Sequence, residues 1–384
     1  MGCAANVKDQ IRYARMSQTA ATAPRRVLVI GASSGYGLAA RITAAFAYGA
    51  ATVGVFQEKP ARRRKTASAG WYNAAAFDEC AHAAGLHSLS INADAFAHTT
   101  KQRAMDAIDQ AVGGPIDLVI YSLAAPARTL PDSGDTLYTA VKPIGGEFVS
   151  QSIDTDNDCL TDVCIEPATR AEIDATVRVM GGDDWALWLD ALARSNLLAR
   201  DAKTIAFSYI GPDVTWPIYA HGTIGRAKQH LESTAAELRQ RHAGHGLDAR
   251  VALMQSIVTQ ASAAIPSIPL YLSIVMRVMK DKGLHETAIQ QQLRLFRDYL
   301  YSSAASLSAP DATGRLRLDE RELRADVQRA CHALRARISD ATLSELTDYR
   351  GYQHDFLRLF GFARSDIDYQ ADVDAAVAGQ FMTI

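Results

Sequence analysis

Apolar positions change period several times along the chain. Short, nearly unbroken apolar runs fall at 27–30 ("VLVI"), 51–56, 116–121 ("IDLVIY"), 203–209 ("KTIAFSY") and 248–253. Each has the length and the β-branched or aromatic content of a buried strand. Between them, at 38–48, 101–112, 171–179 and 185–198, apolar residues recur three and four apart, the spacing of helices with one covered face. Alternation of this kind predicts an α/β fold with a parallel, doubly wound sheet. Beyond about residue 263 the pattern turns to long helical stretches, broken by a polar turn at 308–315 ("SAPDATGR"). Two parts are expected: a sheet-based core over 1–262, and a helical extension over 263–384 packed on it as one compact unit.

The first predicted strand runs into "GASSGYG" (31–37), with Gly31, Gly35 and Gly37 at a strand-to-helix junction. Backbone can approach a pyrophosphate closely only where no Cβ intervenes, and the following helix start offers unpaired N–H groups to an anion. Glu58 closes the second strand, where an acid can bind the hydroxyls of an adenosine ribose. "NADAF" (92–96) follows a third apolar run, and "YSLAAPA" (121–127) follows "IDLVIY" at the carboxyl edge, where ligands bind in open α/β sheets. A nucleotide site outweighs a ligand-free tight turn. Its glycine spacing is that of short-chain reductases rather than GxGxxG.

A second stretch, "SYIGPDVTWPIYAHGTIGRAKQHLE" (208–232), carries Tyr209, Tyr219 and Lys228. Short-chain reductases place a catalytic Tyr and Lys one helical turn apart. Here nine residue steps would put Tyr219 and Lys228 on opposite faces of one helix. They converge only if Tyr219 precedes the helix, with Thr223 as N-cap and Lys228 about one turn inside. Lys228 would then bind a ribose and lower the Tyr219 phenol pKa, while Tyr209 offers a second hydroxyl. Read alone, the tyrosines could equally be ordinary packing residues.

Composition narrows the class. With 384 residues, 48% of them hydrophobic, and a net charge of −2, the chain has a sizeable core and no reason to seek nucleic acid or a membrane surface. Five cysteines without a CxxC pair suit a reduced, cytoplasmic setting. No run approaches a membrane span, and the N-terminus has no signal-peptide pattern. The ten histidines, including His82, His87, His242 and His245, lack metal-ligand spacing and are expected in solvated or capping positions. The basic run Arg62, Arg63, Arg64, Lys65 is either a solvated loop or a contact to an adenosine phosphate. Residues 257–269, small and twice interrupted by proline, are either a lid hinge or core.

Across nearly its whole length the chain resembles the FabV-type enoyl-ACP reductases and the related trans-2-enoyl-CoA reductases. The resemblance lies in "GCAANVKDQI" (2–11), "VLVIGASSGYGLAARI" (27–42), "GWYNAAAFDE" (70–79), "KPIGG" (142–146), "VMGGDDWALW" (179–188), "SYIGPDVTWPIY", "VTQASAAIP" (258–266) and "GYQHDFLRLFGF" (351–362). It implies a mostly monomeric Rossmann-like fold with a helical lid, and NADH-dependent reduction of a trans-2 enoyl thioester carried on CoA or acyl carrier protein. By the same resemblance Gly31, Ala32, Ser33, Ser34, Gly35 and Tyr36 would hold the pyrophosphate, and Gln57 and Glu58 the adenosine ribose. Asp94 and Ala95 would border the adenine, Leu123 and Ala124 the nicotinamide-side ribose, and Ile257, Val258 and Thr259 the nicotinamide. Lys228 would bind ribose, Tyr219 would give the proton, and Tyr209 would touch the thioester carbonyl.

The chain also departs from the family. A strand usually precedes "GCAANV", so either a start further upstream or an exposed sheet edge is expected here. The lysine usual shortly before "VTQ" is missing from Leu253, Met254 and Gln255. Ala93 and Ala97 replace a glycine and a serine, and "SLAAP" replaces "SLASP". Ala93 is expected to lack backbone freedom and Ala97 a hydroxyl. Two other readings stay open: a non-catalytic NADH-binding paralogue that senses NADH or holds a partner, and a short-chain carbonyl reductase.

Overall fold

The computed structural model describes residues 1–17, 23–63, 65–263, 265–302 and 309–384. The chain enters through α1 (Gly2–Met16) and then forms β1 (Arg26–Ile30), α2 (Gly35–Ile42), β2 (Ala51–Phe56), α3 (Ala69–Ala83), β3 (Ser88–Asn92), α4 (His98–Ala111) and β4 (Ile116–Tyr121). Two small hairpins follow, β5 (Ala127–Thr129) with β6 (Thr136–Tyr138), and β7 (Phe148–Asp154) with β8 (Cys159–Ile165). The core resumes with α5 (Arg170–Met180), α6 (Asp183–Arg194), β9 (Leu198–Ser208), α7 (Thr223–Arg241) and β10 (Asp248–Leu253). Next come α8 (Gln260–Ala263), α9 (Ile268–Asp281), α10 (Ala288–Arg294), β11 (Leu316–Arg317), α11 (Ala325–Arg335), α12 (Leu343–Leu346), α13 (Tyr349–Leu359) and β12 (Phe381–Thr383).

The main sheet has the order β11-β10-β9-β4-β1-β2-β3-β12, and every pairing in it is parallel. Successive residues of β1 face opposite ways: Leu28 and Ile30 pack with α4, α6 and α7, Val27 and Val29 with α2 and Leu295. Both faces are therefore dry, which explains why these strands are unbroken apolar runs rather than alternating ones. The chain leaves β1 in one direction through β2 and β3, then returns to β1's other side with β4. This reversal opens a crevice at the carboxyl ends of β1 and β4.

Several expectations change. β3 does not end the sheet: Phe381, Met382 and Thr383 pair with Ser90, Ile91 and Asn92, so β12 is the edge strand. The region after 263 is not purely helical, since it adds strands to both ends of the sheet. The expected helix over 38–48 begins at Gly35 and ends in a wider π turn over Thr43–Ala47. β9 begins at Leu198, inside the stretch expected as helix, and the hairpin of β7 and β8 was not foreseen. Leu343 is buried beneath α9, with Leu334 and Ile338 packed beside it.

Ala97 is the N-cap of α4 and makes no side-chain cap bond, which leaves a first-turn N–H without the hydroxyl a serine would bring. Ala97→Ser should stabilise the protein by about 1 kcal/mol, read as a higher urea midpoint at unchanged m-value.

Candidate active site

A cavity of about 1150 Å³ opens at the reversal point and runs from the glycine loop to the helices after residue 260. Gly31 has φ +89, and a Cβ there would collide with the Ser122 carbonyl that follows β4. A Cβ on Gly37 would strike the Gly31 carbonyl in turn. These clashes explain two of the three glycines: β1, α2 and the end of β4 meet backbone to backbone. The loop is braced by Asn73, whose Nδ2 donates to the Ser33 carbonyl at 3.1 Å. Ser34 caps α2 without a side-chain bond, so the helix presents first-turn N–H groups to the cavity.

Most expected residues line this one cavity: Gly31, Ser33, Ser34, Gly35, Tyr36, Gln57, Asp94, Ala95, Leu123, Ala124, Tyr209, Tyr219, Lys228, Ile257, Val258 and Thr259. Ala32 and Glu58 do not. Ala32 is fully buried beneath the loop. Glu58 stands one residue behind Gln57, and its carboxylate accepts from Ser33 Oγ at 2.7 Å. Gly70 leaves room for that carboxylate, since a Cβ there would meet Glu58 Oε1. Asp94 Oδ1 accepts from the Phe96 N–H at 2.9 Å, and the neighbouring Ala95 carbonyl receives Lys101 Nζ at 2.8 Å and Trp188 Nε1 at 3.2 Å. Lys101 is itself tied to the buried Asp184 at 2.6 Å, so this loop rests on a core ion pair.

Tyr219 and Lys228 reach the cavity in the one way their spacing allows. Tyr219 lies in the turns before α7, and α7 carries Lys228 inward from its second turn. Gly222, not Thr223, is the N-cap. The Thr223 hydroxyl instead donates to the Ala140 carbonyl and accepts from the Lys142 N–H, pinning α7 to the loop before β7. The Tyr209 and Tyr219 rings meet edge to face at 5.1 Å. Burial pushes the Tyr219 phenol up to about 12, so the expectation that Lys228 depresses it is reversed in the free site. Burial pulls the Lys228 ammonium down to about 8, against the opposing pull of Glu232. Among the described residues its one hydrogen-bond acceptor is the Phe207 carbonyl at 3.5 Å, which leaves its donors aimed at the cavity.

Some participants were not foreseen. Glu322, fully buried, shares a hydrogen bond of 2.8 Å with Tyr209 Oη and accepts from Tyr271 Oη at 2.8 Å and from the Ser256 N–H at 2.6 Å. In the sequence it lies in the charged run "LDEREL", indistinguishable from a solvated turn. Gln255 is one of the three residues before "VTQ" where no lysine stands. Its carbonyl accepts from the Tyr36 hydroxyl, while its own buried amide group lines the cavity with neither Nε2 nor Oε1 bonded. That buried, unpartnered amide beside Ile257 suits a ligand with polar groups at this end.

Ala93 does not need a glycine's freedom, since its φ is not positive. In the basic run, Arg62 and Lys65 pair through their backbones on an exposed loop, and Arg64 lies outside the described residues. Within this stretch Gln260–Ala263 forms α8 and Ile268 begins α9, with Ser267 at φ +65 just before it. Ile265, Ile268, Leu272 and Met276 give the cavity an apolar far end. Among the described residues no helix is long and apolar enough to cross a membrane, and no three His, Cys, Asp or Glu side chains could hold a metal.

A parallel sheet, a glycine cradle at its reversal point and a Tyr and Lys on the opposite wall define a dinucleotide-binding reductase. Residues 1–63 match the NAD(P)H binding domain of trans-2-enoyl-CoA reductase, residues 65–301 its catalytic region, and residues 310–373 a domain described as the enoyl reductase FAD binding domain. An NADH-dependent enoyl-acyl-carrier-protein reductase of Xanthomonas oryzae pv. oryzae is 53% identical over 98% of this chain and 94% of its own. The protein of that name from Pseudomonas putida is 54% identical over 97% and 93%. The trans-2-enoyl-CoA reductase of Treponema denticola, solved with NAD, superposes with a TM-score of 0.93 at 44% identity, covering 97% of this chain and 94% of that one. The chain belongs to the trans-2-enoyl-CoA reductase family and is an oxidoreductase. A flavin does not fit residues 310–373: the inward side chains Val327, Cys331, Leu343, Tyr349 and Tyr352 fill the space beneath α9.

The Lys228 shift has a measurable sign. Burial disfavours the ammonium, so in the free protein it loses its proton as pH rises through about 8. The dissociation constant for NADH should therefore increase above that pH. Fluorescence titration should show this rise, and Lys228→Met should bind weakly at every pH without it.

Proposed function

We infer that this protein reduces the trans-2 double bond of an enoyl thioester with NADH, in the cavity between the glycine loop and α9. The observation that carries the reading is the convergence of Tyr209, Tyr219 and Lys228 on a cavity that has a glycine cradle at one end and an apolar wall at the other. The proton donors favour an enzyme over a sensor, which has no use for them. We assign the pyrophosphate to residues 31–36, the adenosine ribose to Gln57 and Glu58, and the adenine to Asp94 and Ala95. Leu123, Ala124 and Lys228 take the second ribose, and Ile257, Val258 and Thr259 the nicotinamide. Ala32 and Glu58 act from behind the wall, through the loop backbone and through Ser33.

NADH, when bound, supplies the hydride to the β-carbon of the enoyl group. The charge that develops on the thioester oxygen needs donors fixed in advance, and Tyr219 presents an un-ionised phenol to it. Lys228 holds its positive charge beside this position and the ribose. Ile265, Ile268, Leu272 and Met276 exclude water around the acyl chain, which strengthens those polar contacts. Acyl carrier protein is the carrier we favour, because the relatives near 53% identity act on that form. The same reading gives a cytoplasmic monomer in fatty acid synthesis, with residues 1–262 as the catalytic core and 263–384 as the lid and extension. NADH oxidation with crotonyl-CoA, a long enoyl-CoA and enoyl-acyl carrier protein, side by side, tests it. Turnover of none would overturn it, and a preference for CoA would move the carrier.

Two variants test the assignments. Tyr219→Phe should lower kcat by about 10²–10⁴-fold and leave NADH affinity nearly unchanged. Glu58 should repel the 2′-phosphate of NADPH, so Glu58→Ala should narrow the ratio of kcat/KM for NADH over NADPH; an unchanged ratio would transfer that control to Arg62 and its neighbours.

A further inference from the structure

Glu322 has the surroundings of a carboxyl that works through another residue. It has no solvent exposure, and among the described residues it makes no ion pair. Its contacts join three parts of the site: Tyr209 at the end of β9, Ser256 in the loop after β10, and Tyr271 on α9. The donors around Tyr271 and Oε2 can be placed by counting. Gln328 Nε2 donates to the Glu322 carbonyl at 2.7 Å, which fixes its amide as a donor, and also to Tyr271 Oη at 3.2 Å. The Tyr271 proton therefore points to Glu322 Oε1, while Oε2 takes the Ser256 N–H. One question remains, the direction of the bond between Glu322 and Tyr209.

A hydroxyl has one proton. If Glu322 is ionised, that proton of Tyr209 is held by Oε1, and Tyr209 shows only lone pairs to the cavity, the wrong sign for an oxyanion. If Glu322 is the neutral acid, Oε1–H donates to the Tyr209 oxygen and the Tyr209 proton turns to the cavity. We propose that Glu322, as the neutral acid, is a positioning residue that turns the Tyr209 hydroxyl proton toward the thioester oxygen. The proposal rests on the reductase reading above and adds a second donor beside Tyr219.

The charge environment agrees. Burial pushes the Glu322 carboxyl above the usual carboxylate range, with its hydrogen bonds from Ser256, Tyr209 and Tyr271 pulling the other way. The titratable groups facing it are Tyr209, Tyr271 on α9, Tyr36 on α2 and Cys331 on α11, all acids whose own pKa values are raised and which are neutral at pH 7. None supplies a cation to favour the carboxylate.

The test compares Glu322→Gln, Glu322→Ala, Tyr209→Phe and the Ala/Phe double variant, each checked for an unchanged melting temperature. Tyr209→Phe should lower kcat at saturating NADH by on the order of 10²-fold, the usual effect of removing one oxyanion donor. Glu322→Ala should approach that loss and add nothing in the Tyr209→Phe background. Glu322→Gln, whose amide still donates to Tyr209, should recover most of the loss. Gln as impaired as Ala would overturn the proposal. A readout without substrate separates this from the reductase reading: the parent-minus-Gln infrared difference spectrum at pH 7 should contain the C=O stretch of a protonated carboxyl. A carboxylate band in its place would overturn the proposal while leaving the reductase assignment standing.

Discussion

The contact between Gly31 and the Ser122 carbonyl constrains the whole site. It lets the ends of β1 and β4 approach closely enough for the chain to reverse between them, and the crevice at that reversal becomes the cavity. Any side chain at Gly31 would push the strands apart at their carboxyl ends. The helix start of α2 and the Leu123 loop take their positions from this junction. The dry faces of the sheet then hold it rigid, since both β1 and β4 are buried on either side.

Around this frame the site is built from buried polar groups with few partners. Burial acts on its titratable members in a common direction, toward the neutral form. It raises Tyr209, Tyr219 and Glu322 and lowers Lys228. A reductase that adds a hydride and then a proton benefits from donors that remain protonated until the substrate carries charge. Elsewhere the same burial is compensated structurally: Lys101 has Asp184, and the fully buried Arg41 has Ser88, Ser90 and the Leu89 carbonyl as acceptors beside Asp78.

The strands of the core were legible because a strand buried on both faces must be apolar throughout. The glycine loop was legible because close backbone contact permits no other residue. The convergence of Tyr219 and Lys228 followed from helix geometry alone, since only one arrangement brings them together. Other features were hidden for physical reasons. β11 and β12 are two and three residues long, too short to show a period. Glu322 looks like any surface acid until the fold encloses it, because burial is a property of the contacts and not of the local sequence. Thr223 has the composition of an N-cap, but a distant acceptor, the Ala140 carbonyl, draws its hydroxyl away. The roles of Ala93 and Ala97 were also local questions, answered by the backbone angles they adopt.

Tyr271 shares α9 with Leu272 and Met276, which line the apolar end of the cavity, and its hydroxyl ends on the same carboxyl oxygen as that of Tyr209. On our reading of the acyl end, its occupancy and the proton affinity of Glu322 would be linked through α9. Such linkage is reciprocal: a tail that settles α9 in place changes how tightly the carboxyl holds its proton, and the proton changes how tightly the tail is held, by the same factor. Chain-length preference and acid–base behaviour, usually treated as separate properties of a reductase, would then be two readings of one linkage.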